Sequence, residues 1–206
     1  MDIVPEEICI YHITDVANLP GILAEGGLLS DAAVAQRHRT VIGYDHIKLR
    51  RLREITVPCC GSRFVGEFVP FYFCPRSPML FAINRGNTGR QPGCQRAIVH
   101  LVSTLKAGMA TGRRWAVSSG NAGARHTTFE SQMLALATLD WDAIRATSWK
   151  GQQHQKSAEF LVEDIFPWSA ITQIGCQNSA IAREVADMLR NQAHRPTVEV
   201  KPDWYY

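Results

Sequence analysis

The chain has 206 residues, of which 46% are hydrophobic and 20% charged, with a formal net charge of +3. That composition suits one folded domain spanning residues 1–206 with a sizeable core, and it excludes an intrinsically disordered chain. So small a positive excess also excludes nucleic-acid binding by bulk charge; such a partner needs cations gathered locally.

No apolar run approaches the roughly 20 residues of a membrane helix. The acidic start, Met1-Asp2-Ile3-Val4-Pro5-Glu6-Glu7, lacks the pattern of a signal peptide. The six cysteines contain no Cys-x-x-Cys pair and no zinc-finger spacing, so free thiols and no metal are expected. The reading is a soluble, cytoplasmic protein.

Residues 8–13 read as a short strand. Thr14 or Asp15 then caps a helix with Val16, Leu19, Ile22 and Leu23 on one side, Pro20 in its first turn and Gly26-Gly27 as its stop. Leu28 to Asp31 leads into a second short helix. Residues 37–53 gather positive charge in Arg37, His38, Arg39, His46, Lys48, Arg50, Arg51 and Arg53, with Ile47 and Leu49 or Leu52 as anchors. Residues 58–66 read as a loop. Residues 68–73 form an aromatic strand that Pro70 assigns to a sheet edge or a bulge. Ser77-Pro78 starts a helix carrying Met79, Leu80, Phe81 and Ile83. Residues 85–93, with three glycines and one proline, read as a mobile loop.

Residues 97–102 are a buried strand, 103–109 a short helix, 115–118 a strand and 119–125 a loop. Residues 129–139 read as a helix with Met133, Leu134, Leu136 and Ala137 inward. Residues 141–155 are polar and irregular. A strand at 171–175, a helix capped by Asn178 or Ser179 and running to Arg190, and a strand at 197–200 complete the chain. Short strands mixed with helices, with no repeat or linker, favour an α+β fold with a mainly antiparallel or split sheet.

The stretch Lys156-Ser157-Ala158-Glu159-Phe160-Leu161-Val162-Glu163 sets a carboxylate inside an apolar strand. Alternation puts Glu159 and Leu161 on one face. A carboxylate there costs free energy unless something requires it; a solvated strand end is the plainer reading of any single Glu. The chain contains no G-x-G-x-x-G after a strand, no Walker loop, no H-E-x-x-H and no G-x-S-x-G. Common dinucleotide, kinase, zinc-protease and serine-hydrolase readings lose their main support.

Three segments in order carry a resemblance. They are Tyr11-His12-Ile13-Thr14 with Asn18-Leu19-Pro20-Gly21-Ile22-Leu23 and Gly26-Gly27-Leu28-Leu29-Ser30; Val69-Pro70-Phe71-Tyr72-Phe73 with Pro75-Arg76-Ser77-Pro78-Met79-Leu80; and Ala158-Glu159-Phe160-Leu161-Val162. Together they resemble DarT, the DNA ADP-ribosyltransferase toxins of DarT–DarG toxin–antitoxin systems. The resemblance implies a PARP-like ADP-ribosyltransferase fold, α+β, with a split, mainly antiparallel β-sheet around an NAD cleft. It implies transfer of ADP-ribose from NAD+ to a base in single-stranded DNA, thymine ahead of guanine, with release of nicotinamide. Its implied partner is a DarG-type macrodomain antitoxin.

The resemblance also implies roles. Glu159 and Arg51 would be catalytic. His12, Thr14, Asn18, Leu19, Gly21, Tyr72 and Arg51 would contact NAD+. Lys48, Arg50, Arg53, Trp149, Lys150, His154 and Lys156 would meet DNA; by charge alone, and not by the resemblance, Arg85, Arg90 and Arg96 add a second positive edge. Cleaving a nicotinamide–ribose bond builds positive charge on the sugar, which a carboxylate stabilises. A carboxylate can also take a proton from an incoming base. Glu163 is the rival to Glu159, and Arg50 to Arg51. RNA or protein as acceptor, and a non-catalytic nucleic-acid-binding module, are the alternatives.

Overall fold

A computed structural model describes residues 8–34 and 39–206. The sequence readings at residues 1–7, Arg37 and His38 lie outside the described residues. Eight strands form the main sheet: β1 (Cys9–Asp15), β5 (Phe68–Tyr72), β6 (Ile98–Thr104), β7 (Trp115–Asn121), β8 (Phe129–Glu130), β9 (Ala158–Glu163), β11 (Gln173–Cys176) and β12 (Thr197–Val200). Their order is β12-β11-β6-β1-β5-β9-β7-β8, antiparallel throughout except for the parallel β11–β12 pair. Two small two-stranded sheets flank it: β2 (Gly27–Leu29) with β10 (Ile165–Pro167), and β3 (Thr56–Val57) with β4 (Arg63–Phe64). The helices are α1 (Leu19–Ala24), α2 (Asp45–Arg53), α3 (Pro78–Asn84), α4 (Leu105–Met109), α5 (Trp141–Arg145), α6 (Gln153–Lys156) and α7 (Ser179–Leu189). This is the expected mixed α+β class with a mainly antiparallel sheet.

Strand alternation sorts the core. Phe71, Phe160, Val162, Val99 and Leu101 face the main cluster, which Leu19, Leu105, Val185 and Leu189 from the helices close. On the opposite face Leu161, Phe68 and Ala116 join Val57 and Val65, while Ile13 and Ile98 join Leu80 and Ile83 from α3. The α3 start reads as expected: the Ser77 hydroxyl accepts from Leu80 N–H at 3.2 Å, with Pro78 next.

Pro70 is not on an edge: β5 lies between β1 and β9. The two sides of β5 differ. Against β9 it pairs from Phe68↔Glu163 to Tyr72↔Glu159; against β1 it pairs only at Tyr11↔Tyr72. The Pro70 carbonyl points towards β1, where it accepts from His12 Nδ1 at 2.8 Å. A strand residue's N and O point the same way, so the missing N–H of Pro70 falls where the ladder is already open. The sheet is split at this place.

Other sequence readings need correction. Residues 129–139 are not a helix. They form β8 and a 3-10 segment, Met133–Thr138, which buries Ala135 and Leu136 and leaves Leu134 71% exposed. Residues 119–121 continue β7 rather than starting a loop, and residues 141–155, read as irregular, contain α5 and most of α6. Of the second short helix expected after Asp31, the described part, residues 31–34, is a turn, and the rest lies outside the described residues. In α2, Ile47 and Leu52 face inward and Leu49 faces out.

The end of the described chain is tied to the sheet by His100. Its Nε2 donates to the Pro75 carbonyl at 2.9 Å, and its Nδ1 lies 3.2 Å from the Tyr205 hydroxyl. Full burial pushes the imidazole down to about 4, against the small opposing effect of the Pro75 carbonyl. The unfolded chain therefore binds a proton near pH 6.5 that the folded chain refuses until about pH 4. Stability should fall as pH drops through that window, by on the order of 3 kcal/mol. Urea unfolding of wild type and His100→Gln between pH 7 and pH 4 checks this; the variant should lack that part of the slope.

Candidate active site

Glu159 sits on β9, opposite Tyr72 of β5 in register. Its side chain is 2% exposed, and it is fully provided with donors. Arg51 Nη1 donates to both carboxylate oxygens, at 3.1 and 2.9 Å, and the Ala122 N–H donates to Oε1 at 3.0 Å. The Arg51 side chain is itself only 11% exposed. Burial works against its charge, but the nearby Glu159 and Asp31 carboxylates together outweigh that and raise its pKa. The pair sits at the floor of a cleft.

An irregular ladder delivers the Ala122 N–H. Val117 pairs with Phe160 and Asn121 with Ala158, so β7 advances four residues while β9 advances two. Bulges of this kind re-aim backbone groups. Ser118 fills the gap: its buried hydroxyl accepts from Glu159 N–H at 2.9 Å and donates to the Gly120 carbonyl at 2.7 Å. Gly120 leaves room for the His154 ring, which a Cβ there would meet at 2.2 Å.

Arg51 arrives from the other side, on α2. This helix buries no residue completely, so its position depends on specific contacts. Leu52 seats on Gly66, where a Cβ would meet it at 2.6 Å, and Arg50 Nη1 donates to the Gly123 carbonyl at 3.2 Å. Arg50, Arg51 and Arg53 lie in the last turn, where the helix dipole favours cations.

The cleft above the pair has a volume of about 410 Å³. His12, Thr14, Asn18, Lys48, Arg51, Tyr72, Trp149 and Glu159 line it. The Asn18 amide brackets residue 40, accepting from Thr40 N–H at 2.8 Å and donating to Thr40 O at 2.9 Å. Arg39 and Lys48 converge on Asp31 at 2.7 and 3.3 Å. His12 donates through Nδ1 to Pro70, and burial lowers its pKa despite that carbonyl, so the ring is neutral and Nε2 is an acceptor. Burial pushes the Tyr72 phenol up and keeps it protonated.

A family model described as "ssDNA thymidine ADP-ribosyltransferase, DarT" matches residues 11–206. The chain belongs to the DarT family. It is 41% identical over 207 residues to a DNA ADP-ribosyl transferase of Thermus sp. (strain 2.9), covering 98% of each chain. The structure of Thermus sp. 2.9 DarT in complex with ADP-ribosylated ssDNA superposes with a TM-score of 0.92 at 40% identity, over 100% of this chain and 99% of that one. Its complex with NAD+ gives 0.87 at 38% identity, over 99% and 100%. Membership makes this chain a DNA ADP-ribosyltransferase and removes the reading as a non-catalytic binding module.

Several residues that the DarT resemblance singled out sit elsewhere. Leu19 is fully buried in the main core, and Gly21 is exposed on α1; neither lines the cleft. Lys156 is buried and bonded to carbonyls, so it is no surface cation. His154 packs on Gly120 and lies tilted against His126 at 4.2 Å between ring centroids. Arg53 and Lys150 are exposed. Arg90 pairs with Asp15. Glu163 faces Arg63 at 3.1 Å and Arg114 at 3.8 Å, away from the cleft. Sequence reasoning missed Asp31, Ser118, Asn121 and Ala122, the last three because only the bulge brings them to Glu159.

Arg51→Ala strands a buried carboxylate and should cost about 3 kcal/mol. In Arg51→Ala/Glu159→Gln most of that loss should return, giving a coupling of about 2 kcal/mol in a double-mutant cycle. Chemical unfolding of the four proteins measures both.

Proposed function

We propose that this chain is a cytoplasmic, single-domain toxin that transfers ADP-ribose from NAD+ to thymidine in single-stranded DNA. Its antitoxin would be a DarG-type macrodomain protein. Among the described residues no helix is long and apolar enough to cross a membrane. The carrying observation is the buried Arg51–Glu159 pair at the floor of the cleft, in a chain that aligns from end to end with DNA ADP-ribosyl transferases.

The cleft suits NAD+ by its chemistry. Lys48, Arg39 and Arg51 offer positive charge to a diphosphate, and Tyr72 offers a flat ring. His12 Nε2 and Glu159 offer acceptors to ribose hydroxyls. When bound, NAD+ supplies an ADP-ribosyl group on a cationic leaving group. Glu159, fixed by three hydrogen bonds, faces developing positive charge without having to reorganise. It also accepts the proton that an attacking base must lose. Arg51 shares its charge between Glu159 and the cleft, where it can steady a base that is losing a proton. Trp149 offers stacking to a base at the cleft mouth, and Arg50, Arg53 and Lys150 offer charge to phosphates.

Incubation with NAD+ and thymidine-containing oligonucleotides should add one ADP-ribose mass to the DNA. Glu159→Gln should slow this on the order of 10²- to 10³-fold. A mass found only on thymidine-free oligonucleotides, or only on RNA or protein, would move the acceptor to those alternatives. No mass on any oligonucleotide would refute the proposal. The rise in Tm produced by NAD+ should still hold steady at pH 6.5 and shrink only at more acidic pH, because burial lowers the pKa at which protonation removes the Nε2 acceptor of His12. A His12→Asn variant should lose that pH dependence.

A further inference from the structure

Lys156 carries a charge that the core does not need for packing. It is 2% exposed, and its Nζ donates to the carbonyls of Ile144 at 2.9 Å and Ala146 at 2.8 Å. Those carbonyls terminate α5, where the helix dipole favours a cation. The ammonium also meets the Cys74 thiol, which burial pushes up and Lys156 partly draws back. A buried ammonium is costly, and one fastened to main-chain oxygens fixes the backbone that carries them.

The fastened backbone is one particular loop. It leaves the end of α5 at Ala146, whose carbonyl is one of the two, and returns through α6 to Lys156 itself. One ammonium therefore closes both ends. The loop turns through the Gln152 N–H to Trp149 carbonyl bond at 3.0 Å, and the Trp149 ring stands edge-on to Phe81 at 5.3 Å. Trp149, Gln153 and Ser157 form one wall of the cleft. The cleft floor, by contrast, comes from β1, β5, β9 and Arg51 of α2; the loop packs on the β7 bulge behind it through His154 on Gly120.

We propose that Lys156 is a positioning residue for the acceptor strand: its ammonium clamps the base of the 146–155 loop and so sets Trp149 at the cleft mouth. Lys156→Met keeps the length of the stem and removes the clamp. This inference rests on single-stranded DNA being the acceptor.

The test varies DNA and NAD+ separately in the transfer assay, for wild type, Lys156→Met and Lys156→Arg. It adds acrylamide quenching of Trp149, taken as the difference between each protein and its Trp149→Phe counterpart. Lys156→Met should raise the KM for DNA about tenfold while leaving that for NAD+ within about twofold. Trp149 quenching should rise about twofold as the ring is released. Lys156→Arg, which keeps the charge and its N–H donors, should recover most of the KM for DNA. An unchanged KM for DNA, an equal rise in both KM values, or unchanged quenching overturns the proposal. If Lys156→Met does not fold, Lys156→Gln, with an amide donor for one carbonyl, is judged by the same criteria. Absence of transfer by wild type overturns the acceptor reading instead, and Trp149 quenching then still decides the role of Lys156.

Discussion

A carboxylate withdrawn from water has to find its hydrogen bonds in the protein, and the active half of this molecule is arranged around that requirement. Glu159 needs donors, so Arg51 must cross from a helix 108 residues away in sequence and β7 must break register to offer the Ala122 N–H. The break leaves a gap, which the Ser118 hydroxyl fills. The crossing needs a seated helix, which Leu52 on Gly66 and Arg50 on Gly123 supply. Each of these features is unremarkable alone. Together they hold a charge where a solvated side chain would reorganise slowly and weakly.

The same logic separates the two acidic residues of β9. Glu159 and Glu163 share strand parity, yet they meet different partners. Glu163 is buried too, but its partners Arg63 and Arg114 keep 37% and 59% of their side chains exposed. Pairs whose cation stays in water contribute little. Glu159 differs because its cation is buried with it and because the cleft opens beside it.

How much of this was legible beforehand follows physical lines. Helix starts were readable where a side chain reports its own geometry, as at Ser77-Pro78 and Asn178. The alternation of faces on β9 was readable from Phe160, Leu161 and Val162, which pack into two different clusters. The place of Pro70 was not, since a proline marks a missing donor but cannot say whether the empty side is an edge or an internal split. The 3-10 segment of residues 133–138 misled because its apolar residues match helical spacing while Leu134 points outward. Lys156 misled for another reason: composition favours exposed lysines, and only the fold shows two carbonyls waiting for it. Ala122 contributes a backbone N–H, so its side chain carried no signal at all.

The split at Pro70 also shapes how the molecule loosens. On one side lie β12, β11, β6 and β1, and on the other β5, β9, β7 and β8. Among the described residues the Tyr11–Tyr72 pairing and the His12–Pro70 bond join them within the sheet, while the β2–β10 ladder and the His100–Pro75 bond tie the two sides from outside it. Amide hydrogen exchange reports cooperative units of this kind, with the weakest links opening first. The cleft is lined from both sides of that seam, by His12 and Thr14 of β1 and by Tyr72 and Glu159 across it, so a ligand held there would cross-link the two halves and its release would be coupled to the loosening of the sheet.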